Sequence, residues 1–190
     1  MDRLFLRLVR AVLALSGCAA AVVGVAYPVN AMTRVGGGVD ILVMPVDRLR
    51  VTGEGLPRGA SAAMRELWLD VWGATLAEQA LSRGEILLGG LCLGVGCFLL
   101  RSLLATAWSQ AGLGAGAARR LMWLGVLALV FGLAGPVLPY EAAAMALDRT
   151  SMTDAFTPWF GLSWVPLTGA AVLFALALAL RAGRSGRAAG

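Results

Sequence analysis

The sequence predicts an all-α membrane protein with four transmembrane helices and a larger extracytoplasmic segment between the first and second. Three observations predict it. Two long apolar arms, ILLGGLCLGVGCFLL (Ile86 to Leu100) and LMWLGVLALVFGLAGPVL (Leu121 to Leu138), carry no charge. With their flanks, each approaches the roughly 20 residues that a bilayer core demands at about 1.5 Å rise per residue. Composition agrees, since 59% of residues are hydrophobic, 14% are charged and mean hydropathy is +0.79. A soluble domain is charged at nearer a quarter of its positions. Finally, the arginines alternate between connections in the way that fixes membrane orientation.

The first span is placed at about residues 9–28. Arg3, Arg7 and Arg10 precede the apolar run Ala11 to Tyr27, the pattern of a signal peptide or of a first transmembrane helix. Leu15-Ser16-Gly17-Cys18 resembles a lipobox, which would make Cys18 a lipidated N-terminus. Residues Ala19 to Ala26 stay apolar for two further turns, so an uncleaved helix is expected over a lipoprotein. Tyr27-Pro28 is read as the interface and the helix stop.

Residues 29–85 change character and form the extracytoplasmic region. Gly36-Gly37-Gly38 interrupts regular structure, and Val39, Ile41 and Val43 alternate, as do Leu49 and Val51. A small hairpin turning near Pro45 to Asp47 is expected. Ser61 to Leu81 reads as an amphipathic helix, with Met64, Leu67, Trp68, Val71 and Trp72 on one side and Arg65, Glu66 and Asp70 on the other. Its two tryptophans suit a helix lying in the interface; packing on the protein's own loop is the equal alternative.

The second span is placed at 86–104, with Arg101 near its end and its stem long enough to reach the headgroups. The Gly/Ala-rich connection Ala105 to Ala118 is too short for a folded domain. A third span at 121–138 follows the pair Arg119-Arg120. Pro139 to Trp164 is a second polar connection with a short helix expected from Glu141 to Leu147. Trp159, Phe160 and Trp164 fit an aromatic belt. The last span, at 163–181, is followed by Arg184 and Arg187.

Arg3, Arg7, Arg10, Arg101, Arg119, Arg120, Arg181, Arg184 and Arg187 then share one side with Asp2 as its one acid, while the other side holds seven arginines against ten acids. The arginine-rich side is expected to be cytoplasmic, with both termini inside. Abundant Ala, Gly, Arg and Val with no Lys points to a bacterial source, and so to the bacterial inner (cell) membrane. The net charge of +5 is absorbed by this topology, which leaves no basic arm for nucleic acid. Arg119 and Arg120 are the expected topology anchor or partner contact.

Catalytic chemistry is thin in this sequence. There is no His, which excludes imidazole triads, proton shuttles and metal ligands. Cys18, Cys92 and Cys97 fall in predicted spans, with spacing that suits neither a disulfide nor a metal site. No Asp or Glu falls mid-span, where carriers of protons or cations would sit. The outer acids Asp40, Asp47, Glu54, Glu66, Asp70, Glu78 and Glu85 read as a solvated surface. No cofactor, metal or catalytic residue is therefore expected, and the chain is read as not an enzyme. Small residues point instead to helix packing: Gly90 with Gly94, Ala128 with Gly132, and Ala20 with Gly24 are each four apart. Such pairs let backbones approach within one bundle, or in a homo-oligomer.

The stretch Gly112 to Leu138, GLGAGAARRLMWLGVLALVFGLAGPVL, resembles the central pattern of a broad bacterial family of four-span membrane proteins of unknown function. That pattern has a glycine-containing turn, an Asn- or Ala-Arg-Arg-Leu-like start and a glycine-punctuated helix. Leu113 or Ala115 stands where the family turn holds an aromatic, and RAGRSGRAAG stands where it ends in an acidic segment. The resemblance implies the four-span layout and, because members are often encoded beside small helix-turn-helix regulators, a signalling partnership. It implies no catalytic residue. The leading functional expectation is a non-enzymatic sensing, regulatory or scaffolding protein that contacts the bilayer and a membrane or cytoplasmic partner. A small transporter or permeability factor for a neutral or apolar solute is the alternative, and a surface enzyme using Glu66 and Asp70 is a third.

Overall fold

The structure is a computed structural model that describes residues 2–33, 37–46, 50–51, 62–63, 66–107 and 115–188. It is mostly helical, and its four long helices are long and apolar enough to cross a membrane. They are α1 (Asp2–Met32), α3 (Gly84–Ala107), α4 (Ala115–Arg149) and α5 (Trp164–Ala188), with a short α2 (Leu76–Ser82). The chain is not all-α. It also contains β1 (Val39–Pro45), β2 (Arg50–Val51), β3 (Ala62–Ala63), β4 (Leu67–Val71) and β5 (Phe156–Pro158). Two compact units result, one from Met1–Tyr27, Ile86–Gly135 and Leu162–Gly190, the other from Pro28–Glu85 and Pro136–Gly161.

In the first unit the helices present apolar side chains outward. Leu15, Val22, Leu93, Val165 and Leu178 are all more than half exposed. Small residues bring α1 and α3 together. A Cβ on Gly24 would lie 2.7 Å from the Gly90 Cα, and one on Gly17 would lie 2.9 Å from the Cys97 Cβ. On α4, a Cβ on Gly125 would meet the Phe174 ring of α5 at 2.7 Å, so this glycine seats that aromatic.

Two expected helix stops are absent. Pro28 lies inside α1, which continues to Met32, and Pro136 and Pro139 lie inside α4, which continues to Arg149. The span expected at 121–138 and the short helix expected at Glu141 to Leu147 are therefore parts of one 35-residue helix. Each proline removes an N–H and sets its ring against the carbonyl four residues earlier. Those earlier residues are Gly24, Gly132 and Gly135, whose backbones carry no Cβ and adjust most easily. Membrane-type helices tolerate such breaks where neighbours pack against them.

α4 ends in a Schellman turn. Met152 N–H donates to Leu147 O at 3.0 Å and Ser151 N–H to Asp148 O at 3.1 Å, with Ser151 at φ 55° in the position usually given to glycine.

The second unit is organised on β1, the central strand of a sheet ordered β4-β1-β5. β1 pairs antiparallel with β4, Val39 opposite Val71 through Val43 opposite Leu67. On its other side Met44 opposes Thr157 of β5. This corrects the expected hairpin, because β1 pairs with strands distant in sequence while Arg50–Val51 pairs with Ala62–Ala63. Asp47 and Leu49 of that expected hairpin lie outside the described residues.

The helix expected over Ser61 to Leu81 is also corrected. Its middle is strand β4 and only its end is helix; Met64 and Arg65 lie outside the described residues. Leu67, Leu69 and Val71 alternate, while Leu67, Trp68, Val71 and Trp72 recur at helical spacing, so periodicity alone could not choose. Pairing with β1 decides for the strand, and Gly73, at φ 69°, turns the chain out of it. Val39, Ile41, Val43 and Val71 then pack on Ala143, Ala146 and Leu147 of α4.

Candidate functional site

The second unit holds the only salt bridge among the described residues. α2 begins at a capping box: the Thr75 hydroxyl accepts from Glu78 N–H at 3.2 Å, and the Glu78 carboxylate accepts from Thr75 N–H at 2.8 Å. This satisfies two N–H groups that a helix start leaves open. The same carboxylate accepts from Arg149 Nε, at 3.0 Å to Oε1 and 3.3 Å to Oε2. Glu78 is 1% exposed, so one buried carboxylate ties the start of α2 to the end of α4. Burial pushes its pKa up. The Arg149 and Thr75 hydrogen bonds and the Arg149 charge outweigh burial and hold it below the ordinary 4.5. This corrects the reading of Glu78 as part of a solvated acidic surface. Asp47 and Glu54 lie outside the described residues, and Asp40, Glu66, Asp70 and Glu85 are exposed.

The outer face of the sheet is the other prominent feature of this unit. The strand alternation that buries Val39, Ile41 and Val43 turns Asp40, Leu42 and Met44 away from the core, together with Trp68 and Asp70 of β4 and Thr157 of β5. Leu42 stands directly opposite Trp68, and Asp40 directly opposite Asp70. Trp68 is 69% exposed and Trp72, just beyond the strand, 72%. Like charges directly opposed across a strand pair are unfavourable by a few tenths to about 1 kcal/mol. Two large indoles that the unit itself leaves uncovered likewise forgo the stabilisation that burial within it would supply.

The expected site residues fall in the first unit. Arg119 and Arg120 are the fifth and sixth residues of α4, which starts at Ala115, and they differ in their surroundings. Arg119 is exposed. Arg120 is partly buried, and its Nη1 donates to Ser102 O at 3.2 Å and to Thr106 Oγ1 at 2.6 Å, so it fastens α4 to the end of α3. Gly90 and Gly94 face α1, where added Cβ atoms would lie 2.6 Å from Ala20 O and 3.1 Å from Gly17 O respectively. Gly132 faces α5, with Pro166 and Leu167 each at 3.1 Å from its would-be Cβ, and Ala128 is half-buried. Cys18 is exposed, Cys92 half-buried and Cys97 buried. Among the described residues no three His, Cys, Asp or Glu side chains are grouped to hold a metal.

Sequence reasoning missed the Glu78–Arg149 pair, although half of it was readable. Thr75-Leu76-Ala77-Glu78 has the spacing of a capping box. The sheet face was not readable, because β5 joins it from more than a hundred residues away.

No protein-family model, curated protein or solved structure matches the chain.

Proposed function

We propose that the chain is a multi-pass protein of the bacterial cell membrane with both termini cytoplasmic. In this reading it is a non-enzymatic sensing, regulatory or scaffolding component whose extracytoplasmic unit recognises a partner. One observation carries the proposal: Met44, Trp68 and the opposed Asp40 and Asp70 are exposed on one sheet face, beside half-buried Leu42. A face that gives up stability and displays indoles beside carboxylates has the chemistry of a recognition surface. Its sign and shape suit a protein segment with a cation to meet the carboxylates and an apolar side chain to lie on Trp68.

The resemblance over Gly112 to Leu138 supports the same class, and Arg119 is then the exposed cation available to a cytoplasmic partner. The test is site-specific photo-crosslinking in cells from position 68 and, as a control, from position 176 on the apolar surface of α5. A discrete protein adduct from position 68, lost when Asp40 and Asp70 become Asn, supports recognition. Adducts that are the same from both positions, or unchanged by those substitutions, contradict it. Uptake of a neutral solute that requires the chain would favour the transport alternative.

A further inference from the structure

Arg10 of α1 carries an orphaned donor. Its Nε is buried and has no hydrogen-bond partner among the described residues. A guanidinium donor withdrawn from water and left unpaired is costly, so a missing acceptor is the first explanation to test.

Helix register shows what stands opposite it. Gly17 of α1 meets Gly94, Cys97 and Phe98 of α3, and Gly24 meets Ile86 and Gly90, so the two helices run antiparallel. Seven residues separate Gly17 from Gly24, and about seven separate their counterparts. Seven residues in the other direction put Arg10 on the α3-facing stripe of α1, level with the turn of α3 that holds Arg101. Arg101 in turn lies seven residues beyond Gly94, on the stripe that faces α1. The axial offset between the two arginines is about 3 Å, two residues of rise.

Both arginines are half-buried, and neither pairs with an acidic side chain among the described residues. Two like charges facing each other between apolar helices repel, and repel more strongly as water is excluded. An anion between them reverses the sign of that interaction. The guanidinium fork matches the oxygens of a phosphate, which accept two parallel N–H bonds. Exposed Arg7, one turn earlier on α1, lies on the same stripe.

We infer that Arg10 and Arg101 form a binding site for a phosphate-bearing anion, and that its occupant is the headgroup of an anionic phospholipid. A free phosphate offers the same oxygens. A lipid also brings acyl chains, which suit the exposed apolar side chains of α1 and α3 such as Val12, Leu15 and Phe98. The inference rests on the membrane reading above.

The test uses the full-length protein in phosphatidylcholine nanodiscs holding roughly one phosphatidylglycerol in ten. Native mass spectrometry after release then counts retained lipid. The parent should keep one phosphatidylglycerol, which returns saturably after delipidation. Arg10→Gln and Arg101→Gln should each weaken rebinding by about tenfold or more, and Arg10→Lys, which keeps the charge without the fork, should restore it only in part. Arg83→Gln, just after α2, should bind like the parent. Equal loss from Arg83→Gln would mean diffuse attraction and overturn the site, as would unchanged retention by both Arg10 variants. Saturable retention of inorganic phosphate from purely zwitterionic discs that equals retention of the lipid, and is lost in Arg10→Gln, would overturn the lipid as occupant. Failure of the parent to enter discs would count against the membrane reading. Entry without retained lipid counts against this inference alone.

Discussion

Replacing Glu78 with Gln probes the second unit at its most connected side chain. The carboxylate accepts from Thr75 N–H and from Arg149 Nε at the same time, with its side chain 2% exposed. Glutamine keeps the size but offers one acceptor oxygen and no charge, so at least one of the two donors is left poorly paired. Loss of a buried ion pair by removing one partner costs about 3–5 kcal/mol when the survivor stays buried. Arg149 keeps 32% of its side chain in solvent and can rehydrate. The appropriate scale is therefore that of a charged hydrogen bond, about 1.5–3 kcal/mol, with up to about 1 kcal/mol more if the cap is also weakened.

Because the apolar helices need not unfold with this unit, the assay is amide hydrogen exchange read on α2 and β4. A loss of about 2–3 kcal/mol should speed exchange there by roughly 30- to 150-fold. The sign with pH follows from the depressed carboxyl pKa. Its contribution is fully present above the unfolded value and is lost as pH falls through the folded one. Parent protection should therefore drop below about pH 4.5, while Glu78→Gln should lack that part of the drop. Exchange in the variant that matches the parent at neutral pH would refute the structural role given to this pair.

Other substitutions test the remaining geometry. Gly90→Val places side-chain atoms against the backbone of α1, whose Ala20 O already lies 2.6 Å from a would-be Cβ; it should cost at least about 1–3 kcal/mol in denaturant unfolding. Gly169→Ala on α5 meets nothing within 4 Å and should be neutral or stabilising by up to about 1 kcal/mol in the same measurement. Ser151→Gly relieves the positive φ at the end of α4 and should raise exchange protection there by about 0.5–1 kcal/mol. Asp70→Thr removes the charge opposing Asp40 and should stabilise the sheet by a few tenths to about 1 kcal/mol.

The long helices were legible in the sequence because they depend on composition and length alone. Their ends were not. Pro28, Pro136 and Pro139 have the local chemistry of helix stops, yet each follows a glycine by four residues and the helix runs on. Ser151 ends α4 in a place where no glycine announces it. The second unit was legible only at β1, whose Val39, Ile41 and Val43 alternate. For Leu67 to Val71 two periods fitted equally well, and the deciding partner was a strand 24 or more residues away. Within the site, Arg119 and Arg120 are adjacent in sequence but unlike in surroundings. Which of the two turns toward Ser102 and Thr106 depends on how α3 and α4 meet, and that is not written in either helix alone.

The central claim, a membrane-crossing bundle that carries an exported recognition unit, is tested most directly by cysteine accessibility in intact cells. In a background where Cys18, Cys92 and Cys97 are replaced, single cysteines are placed at exposed Asp154 beside the sheet and at Ala111 between α3 and α4. A membrane-impermeant maleimide should label position 154 in intact cells and position 111 only after the membrane is opened. Labelling of position 111 in intact cells, with position 154 protected until lysis, would contradict the account.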